Sequence, residues 1–84
     1  MQAPMTDPTA RVRQLLVELR PEADFDASRD FVEDGLLDSY DIVMLVSALD
    51  REFSVSIDGA EIVPERFASV ASLLDLLRRS GAAV

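Results

Sequence analysis

The chain has 84 residues, 16 of them acidic and eight basic, and its net charge at pH 7 is −8. A chain of this length forms one small domain whose single core leaves little room for a deep active-site cavity. Cysteine and histidine are absent, which excludes disulfides, thiolate or imidazole metal ligands, and unaided serine–histidine or cysteine–histidine catalysis. The acidic balance disfavours nucleic acid, whose phosphates need a basic surface. It either favours basic protein surfaces as partners or only maintains solubility.

The first predicted helix begins at Asp7-Pro8 and ends at Arg20. Asp7 is a favoured N-cap, and Pro8 suits the first helical position, where an N–H would have no partner within the helix. One apolar face repeats at helical spacing: Val12, Leu15, Leu16 and Leu19. The helix stops before Pro21, because the residue preceding a proline is pushed out of the α region. Residues 1–6 have no periodicity and are predicted to be flexible.

Residues 21–38 form a long polar connection. A loop of this length is uncommon in so small a domain unless it is pinned or functional. We expect its large apolar residues to be the pins: Phe25, Phe31 and either Leu36 or Leu37. Three side chains have the spacing of a calcium loop: Asp24, Asp26 and Ser28. The turn glycine and final glutamate of such a loop are replaced by Arg29 and Gly35, so no metal is expected there.

The second predicted helix runs from Ser39 to Phe53. Its core face has the helical period: Ile42, Leu45, Val46, Leu49 and Phe53. The apolar run 42–46 alone would also fit a buried strand, but the capping residues before it and the helical spacing after it decide for a helix. The same run is far too short to span a bilayer. Residues 54–58 then look extended, and Gly59 is a turn.

A short helical turn and a last helix complete the chain. Pro64 begins the turn, which extends to Phe67. Ser69 caps the last helix, which has two arginines in its final turn, where cations suit the helix dipole, and which ends at Ser80-Gly81. The predicted buried face of this helix is Val70, Leu73, Leu74 and Leu77.

These elements predict an all-α fold. The expected architecture is a small antiparallel helical bundle with three long helices, one short helix and a long first loop. Residues 1–84 are predicted to form a single domain with a flexible tail at 81–84. The predicted core consists of Val12, Leu15, Leu16, Leu19, Phe31, Leu45, Leu49, Phe53, Val70, Leu73, Leu74 and Leu77.

An Asp-Ser pair stands at the start of the second helix. Asp38 can cap the helix, and Asp41 can reach back to the Asp38 N–H, as glutamate does in a capping box. Ser39 then occupies the first helical position with its hydroxyl near solvent. A phosphate attached there would be favoured by the free N–H groups and by the helix dipole. The dipeptide alone fits ordinary capping as well, because Asp and Ser are favoured caps everywhere.

A second stripe follows the pair on a face of the helix that differs from the core face. Its members are Tyr40, Val43, Met44 and Ser47. A second apolar stripe on a helix is either a binding surface or part of a thicker core. The residues alone give equal weight to the two interpretations.

The order of these segments resembles the acyl carrier proteins over nearly the whole chain. Residues 31–35, Phe-Val-Glu-Asp-Gly, followed by 38–41, Asp-Ser-Tyr-Asp, are close to that family's attachment region in content and spacing. Residues 49–53 resemble the end of its second helix, and Ile57-Asp58 resembles the loop that follows. The full spacing is specific, whereas the Asp-Ser pair alone is not.

The resemblance implies that Ser39 carries 4′-phosphopantetheine from coenzyme A and that Asp38 belongs to the signature recognised by the phosphopantetheinyl transferase. It implies a carrier without catalytic residues, which holds acyl intermediates as thioesters and presents them to enzymes of fatty-acid or specialised acyl biosynthesis. The expected partners are that transferase, a loading ligase, and acyltransferases or synthases. We expect a cytoplasmic monomer. The candidate contact residues are Asp38, Tyr40, Asp41, Val43, Met44, Ser47, Asp50 and Arg51.

Three of these residues depart from the family pattern. Tyr40 stands where Leu is usual, and Met44 and Arg51 occupy positions that are often acidic in fatty-acid carriers. We expect binding energy to concentrate on these three side chains rather than on rim carboxylates. The 64–70 stretch looks more like stand-alone carriers that work beside an adenylate-forming ligase, some of which carry D-alanine or another amino acid.

Two alternatives therefore stay open. An aminoacyl, D-alanyl or peptidyl carrier would use the same attachment site for a different cargo. An unmodified helical adaptor would use Ser39 only for capping and would bind partner proteins through its surface. If the cargo is a fatty chain, it could lie in a cleft between the helices that Ile57 and Ile62 help to line.

Overall fold

A computed structural model describes residues 7–84, so the predicted flexible end at 1–6 lies outside the described residues. Three α-helices are present in this part of the chain: α1 (Pro8–Leu19), α2 (Ser39–Phe53) and α3 (Val70–Arg79). Three 3₁₀ turns connect them: Phe25–Ala27, Gly59–Glu61 and Pro64–Phe67. No β-strand occurs within residues 7–84. The predicted all-α fold is confirmed.

Helix α1 packs against both α2 and α3. Arg20, immediately after α1, forms an ion pair with Asp41 in the first turn of α2. Arg11, near the start of α1, forms an ion pair with Glu52 near the end of α2. The two helices are therefore antiparallel, and the end of α2 that carries Ser39 lies beside the C-terminal end of α1.

The helices begin at the capping residues that the sequence predicts. The Asp7 Oδ1 accepts a hydrogen bond from the Thr9 N–H at 3.2 Å. The Ser69 Oγ accepts one from the Ser72 N–H at 3.1 Å. Each bond satisfies a backbone donor that has no acceptor within its own helix. Helix boundaries were predictable here because the capping contacts span only two or three residues.

The end of α3 is closed by a glycine in the left-handed region. Gly81 has φ 102°, and its N–H donates to the Arg78 carbonyl at 3.1 Å. The next N–H, that of Ala82, donates to the Leu77 carbonyl at 2.9 Å. This pair of bonds is the Schellman arrangement. Ala82 and Val84 then pack against the core, while the predicted flexibility of the tail stays a prediction.

The long connection is pinned to the core by its apolar residues, as predicted. Phe31 and Leu37 are 2% and 1% exposed, and the half-buried Phe25 meets the Phe31 ring edge-on with centroids 4.9 Å apart. The Phe31 N–H donates to the Ala68 carbonyl at 2.8 Å, which ties the loop to the segment before α3. Gly35, with φ 77°, turns the chain toward α2.

The core differs from the predicted one at several positions. Seven predicted residues are buried: Val12, Leu16, Phe31, Leu45, Leu49, Leu73 and Leu77. Five are only partly buried and pack against it: Leu15, Leu19, Phe53, Val70 and Leu74. Ile42, which the helical spacing placed on the core face of the second helix, and Leu37, one of the two alternative pins, are also buried. Three buried residues were not predicted: Ile57, Phe67 and Leu76. On α3 Leu76 is fully buried and Leu74 only partly buried, and the Pro64–Phe67 turn packs against this helix.

Candidate attachment site

Asp38 and Asp41 form a reciprocal capping box at the start of α2. The Asp38 backbone is extended, and its Oδ1 accepts from the Asp41 N–H at 2.9 Å. The Asp41 Oδ2 accepts from the Asp38 N–H at 3.1 Å. The predicted capping box, with aspartate in place of the usual glutamate, is confirmed. It defines the first turn of α2, on which Ser39 stands.

Ser39 is the first residue of α2 and is exposed. Its hydroxyl has no hydrogen-bond partner among residues 7–84, because Asp38 performs the capping that a serine often performs at a helix start. Ser69 illustrates the contrast, since its hydroxyl caps α3 and is half-buried. The Ser39 oxygen is accessible, as the attachment hypothesis requires, and it lies at the positive end of the α2 dipole.

The surroundings of Asp38 favour its charged form. The hydrogen bond from the Asp41 N–H is the largest of the causes that lower the pKa of the Asp38 carboxyl. Some loss of hydration opposes this effect, whereas the Asp41 side chain, the Tyr40 N–H and the nearby Arg20 guanidinium lower the pKa of Asp38 further. A negative charge therefore stands next to the Ser39 hydroxyl at neutral pH.

The structure adds Arg20, which the sequence reasoning used only as the end of α1. The Arg20 Nη1 donates to the Asp41 Oδ2 at 2.7 Å, and its Nε donates to the Glu22 Oε2 at 2.7 Å. Asp41 lies 21 positions further along the chain, so no local pattern pairs the two residues. The sequence gives one indirect signal of this contact. Pro21 ends α1, and the Arg20 cation therefore lies at the C-terminal end of that helix.

The second stripe of α2 is on the surface. Tyr40, Val43 and Met44 are 71%, 61% and 44% exposed, and Ser47 is also exposed. Arg51 is exposed near the end of the same helix. Burial in a thicker core is therefore excluded for these side chains. They form an exposed, mainly apolar surface that begins at the Asp-Ser pair, and we call Tyr40, Val43, Met44, Ser47 and Arg51 the α2 face.

Two of the predicted contact residues form hydrogen bonds within the chain. Asp41 is only 6% exposed, because the Asp38 N–H and the Arg20 guanidinium both bind its carboxylate. Asp50 is half-buried, and its Oδ1 accepts from the Ile57 N–H at 3.0 Å, which fixes the segment after α2. Both carboxylates accept hydrogen bonds within the chain, and direct contact with partner enzymes stays a prediction for each.

Neither a metal centre nor a membrane helix is found in the described part of the chain. No three acidic side chains within residues 7–84 are grouped so that they could hold a metal ion. The three calcium-loop candidates act separately: Asp24 caps the Phe25–Ala27 turn, Asp26 pairs with Arg13, and Ser28 donates to Asp34. None of the helices in residues 7–84 has the length and apolarity needed to cross a bilayer.

Comparison with known families identifies the family of the chain. The family model described as "Phosphopantetheine attachment site" matches residues 10–77, which is well over half of the chain. The chain belongs to the phosphopantetheine-attachment family. No match was found among curated proteins. The matched range contains the whole of α2 with its capping box, the pinned connection before it, and most of α1 and α3.

Members of this family bear 4′-phosphopantetheine covalently, so the protein is a phosphopantetheine carrier. The arm supplies a thiol on a long flexible tether. The residues at the start of α2 fit such a group, because an exposed hydroxyl with no partner in the described part of the chain lies at a capped helix N-terminus, where backbone N–H groups favour a phosphate. As a carrier domain, the chain interacts with transferase and synthase enzymes.

Proposed function

We propose that Ser39 is the residue that carries the arm and that the chain is an acyl carrier protein. In this proposal it holds acyl intermediates as thioesters and presents them to enzymes of fatty-acid or specialised acyl biosynthesis. The protein has no catalytic activity of its own. The observation that carries the proposal is the exposed Ser39 hydroxyl, which has no hydrogen-bond partner within residues 7–84, at the first position of a helix that its neighbours cap.

Three other serines of the chain support this choice. The hydroxyls of Ser28 and Ser80 donate to Asp34 and to the Leu76 carbonyl, at 2.6 and 2.9 Å. Ser47 is exposed, but it lies in the middle of α2, where the backbone N–H groups are used within the helix. Ser39 alone among these combines accessibility with the positive end of a helix dipole.

The transfer places the new bond on one atom of this chain. The Ser39 Oγ bonds to the phosphorus of the coenzyme A pantetheine arm and loses its proton to a base on the transferase, while the bond from that phosphorus to the 3′,5′-ADP leaving group breaks. The fixed first turn of α2 supplies a single position for the attacking oxygen. Asp38 supplies a carboxylate beside it for recognition by the transferase.

The α2 face is the surface on which we propose that partner enzymes dock. Its central side chains are large, exposed and mainly apolar, which is the composition of interface hot spots rather than of an ordinary polar rim. Tyr40, Met44 and Arg51 are the proposed anchors. Asp41 acts on this surface indirectly by holding Asp38, and Asp50 acts by holding the segment after α2.

The attachment step is tested by intact-mass measurement. The chain is incubated with coenzyme A and a broad-specificity phosphopantetheinyl transferase, and the expected product gains the mass of one phosphopantetheine group. Ser39→Ala is expected to gain nothing, whereas the matched control Ser56→Ala, at an exposed serine outside α2, is expected to be modified fully. An unmodified wild-type chain would refute the carrier mechanism and favour the adaptor. A modified Ser39→Ala chain would refute the site.

The cargo is tested on the modified chain. We expect acyl-loading enzymes to charge the thiol with fatty or related acyl groups. Charging only by an amino-acid-activating ligase would instead establish the aminoacyl, D-alanyl or peptidyl alternative.

A cavity of about 110 Å³ lies between α1 and the Phe25–Ala27 turn, and neither Ile57 nor Ile62 lines it. The cleft suggested for a fatty chain therefore stays a prediction.

A further inference from the structure

Asp41 is the buried charged side chain of residues 7–84, and its surroundings show what stabilises it there. The carboxylate accepts two hydrogen bonds at the same oxygen, from the Asp38 N–H at 3.1 Å and from the Arg20 Nη1 at 2.7 Å. A carboxylate withdrawn from water is unfavourable unless a cation or hydrogen-bond donors compensate it. Arg20 supplies the only cationic partner that Asp41 has in the described part of the chain.

Arg20 itself is held by three contacts. Its backbone N–H donates to the Leu16 carbonyl at 2.9 Å, which closes α1. Its Nε donates to Glu22 at 2.7 Å, while Nη1 reaches Asp41. The guanidinium is therefore fixed between the end of α1 and the start of α2. A chain of bonds runs from α1 through Arg20 and Asp41 to the backbone of Asp38, the residue next to Ser39.

We propose that Arg20 is a positioning residue for the modification of Ser39. This inference rests on the proposed function of Ser39. Arg20 acts through Asp41: it makes burial of that carboxylate favourable, the buried carboxylate holds the Asp38 N–H, and the completed capping box keeps the first turn of α2 in one conformation. Without Arg20 the Asp41 carboxylate turns toward water, the Asp38 N–H loses its acceptor, and the turn that carries Ser39 frays.

Fraying has a definite kinetic consequence. A transferase that binds only the ordered turn meets a smaller competent fraction of the carrier, and the apparent affinity falls by that fraction. The rate of the chemical step on the bound, ordered carrier is unchanged. The expected signature is therefore a raised KM for the carrier with an unchanged kcat, which a general loss of stability would not produce while the chain stays folded.

The test compares Arg20→Ala with Arg11→Ala. Arg11 is a matched control because it also joins α1 to α2, through Glu52 at 2.6 Å, but at the opposite end of α2. For Arg20→Ala we expect the KM of the transferase for the carrier to rise by at least about threefold at constant kcat. Hydrogen exchange of the Asp41 and Ile42 amides should quicken by about tenfold. For Arg11→Ala we expect neither change.

Two further variants show whether Arg20 acts through the charge of Asp41. Arg20→Lys keeps a cation within reach of the carboxylate and should restore the wild-type KM. Asp41→Asn keeps an acceptor for the Asp38 N–H but needs no cation. Adding Arg20→Ala to Asp41→Asn should therefore raise KM no further. Circular dichroism on each chain confirms that the helices are retained.

The outcomes separate this inference from the proposed function. If the wild type and Arg11→Ala are modified, and Arg20→Ala has the same KM and the same Asp41 exchange rate, the positioning role is wrong while Ser39 remains the attachment site. Equal effects of Arg20→Ala in the wild-type and Asp41→Asn backgrounds also overturn it. A wild-type chain that gains no mass overturns the proposed function, and this inference with it.

Discussion

Leu37 joins the long connection to the core immediately before the candidate attachment site. It is 1% exposed, and its N–H donates to the Phe31 carbonyl at 3.1 Å. Leu36, the neighbouring residue, is only partly buried, although its N–H donates to the same carbonyl at 2.8 Å. The two leucines therefore share a backbone environment and differ in side-chain burial, which makes them a matched pair for one substitution each.

Leu37→Ala is expected to lower the free energy of unfolding by about 3 kcal/mol, within the roughly 2–5 kcal/mol range for leucine-to-alanine changes in a core. The same change at Leu36 should cost about 1 kcal/mol, because folding buries less apolar surface of the Leu36 side chain. For a domain of this size, about 3 kcal/mol corresponds to a fall in Tm of roughly 12–24 °C. A small domain has about 5–15 kcal/mol of stability in total, so Leu37→Ala should still fold at low temperature.

Urea unfolding followed by circular dichroism measures both values. Equal slopes of the unfolding free energy against urea concentration would show that the two variants expose the same surface on unfolding, so that their midpoints report stability. Below the transition, Ser39 of Leu37→Ala should still be modified, because its hydroxyl is not part of the core. A Leu36→Ala variant as destabilised as Leu37→Ala, or more so, would refute the argument that Leu37 is the pin.

Two further predictions concern charge and the α2 face. The pKa values of Asp38 and Glu61 are lowered in the folded chain, chiefly by the Asp41 N–H and by the Arg79 guanidinium respectively. Each group therefore contributes stability that is present above its unfolded pKa and is lost as the pH falls through the lower folded value, so Tm should decline below about pH 4. A Tm that stays constant or rises between pH 7 and pH 3 would contradict this. Tyr40→Ala should lower kcat/KM for modification by about tenfold with little change in Tm, as expected for an exposed hot spot. Val17→Ala, at a similarly exposed apolar residue of α1, should change kcat/KM by less than about twofold, and equal effects of the two would exclude the α2 face as the docking surface.

The contacts of the candidate site between residues close in sequence could be predicted, whereas the features set by helix packing could not. The pairing of Asp38 with Asp41 follows from three-residue spacing, and it holds at 2.9 and 3.1 Å. The exposure of Tyr40 did not follow, since a second apolar stripe fits a surface and a core equally well. It was decided by the tertiary structure, in which α1 packs against α2 while Tyr40, Val43 and Met44 stay exposed.

By itself, the sequence determined where the helices begin and end and which residue pair stands at the start of α2. Capping residues, prolines and apolar spacing act over two to four positions, and the interactions behind them involve only residues within that distance. The tertiary structure alone decided that Arg20 holds Asp41, that Leu37 rather than Leu36 is the pin, and that Asp50 is engaged with Ile57. Those contacts depend on which elements pack against each other in the folded chain, and local residue spacing does not predict that packing.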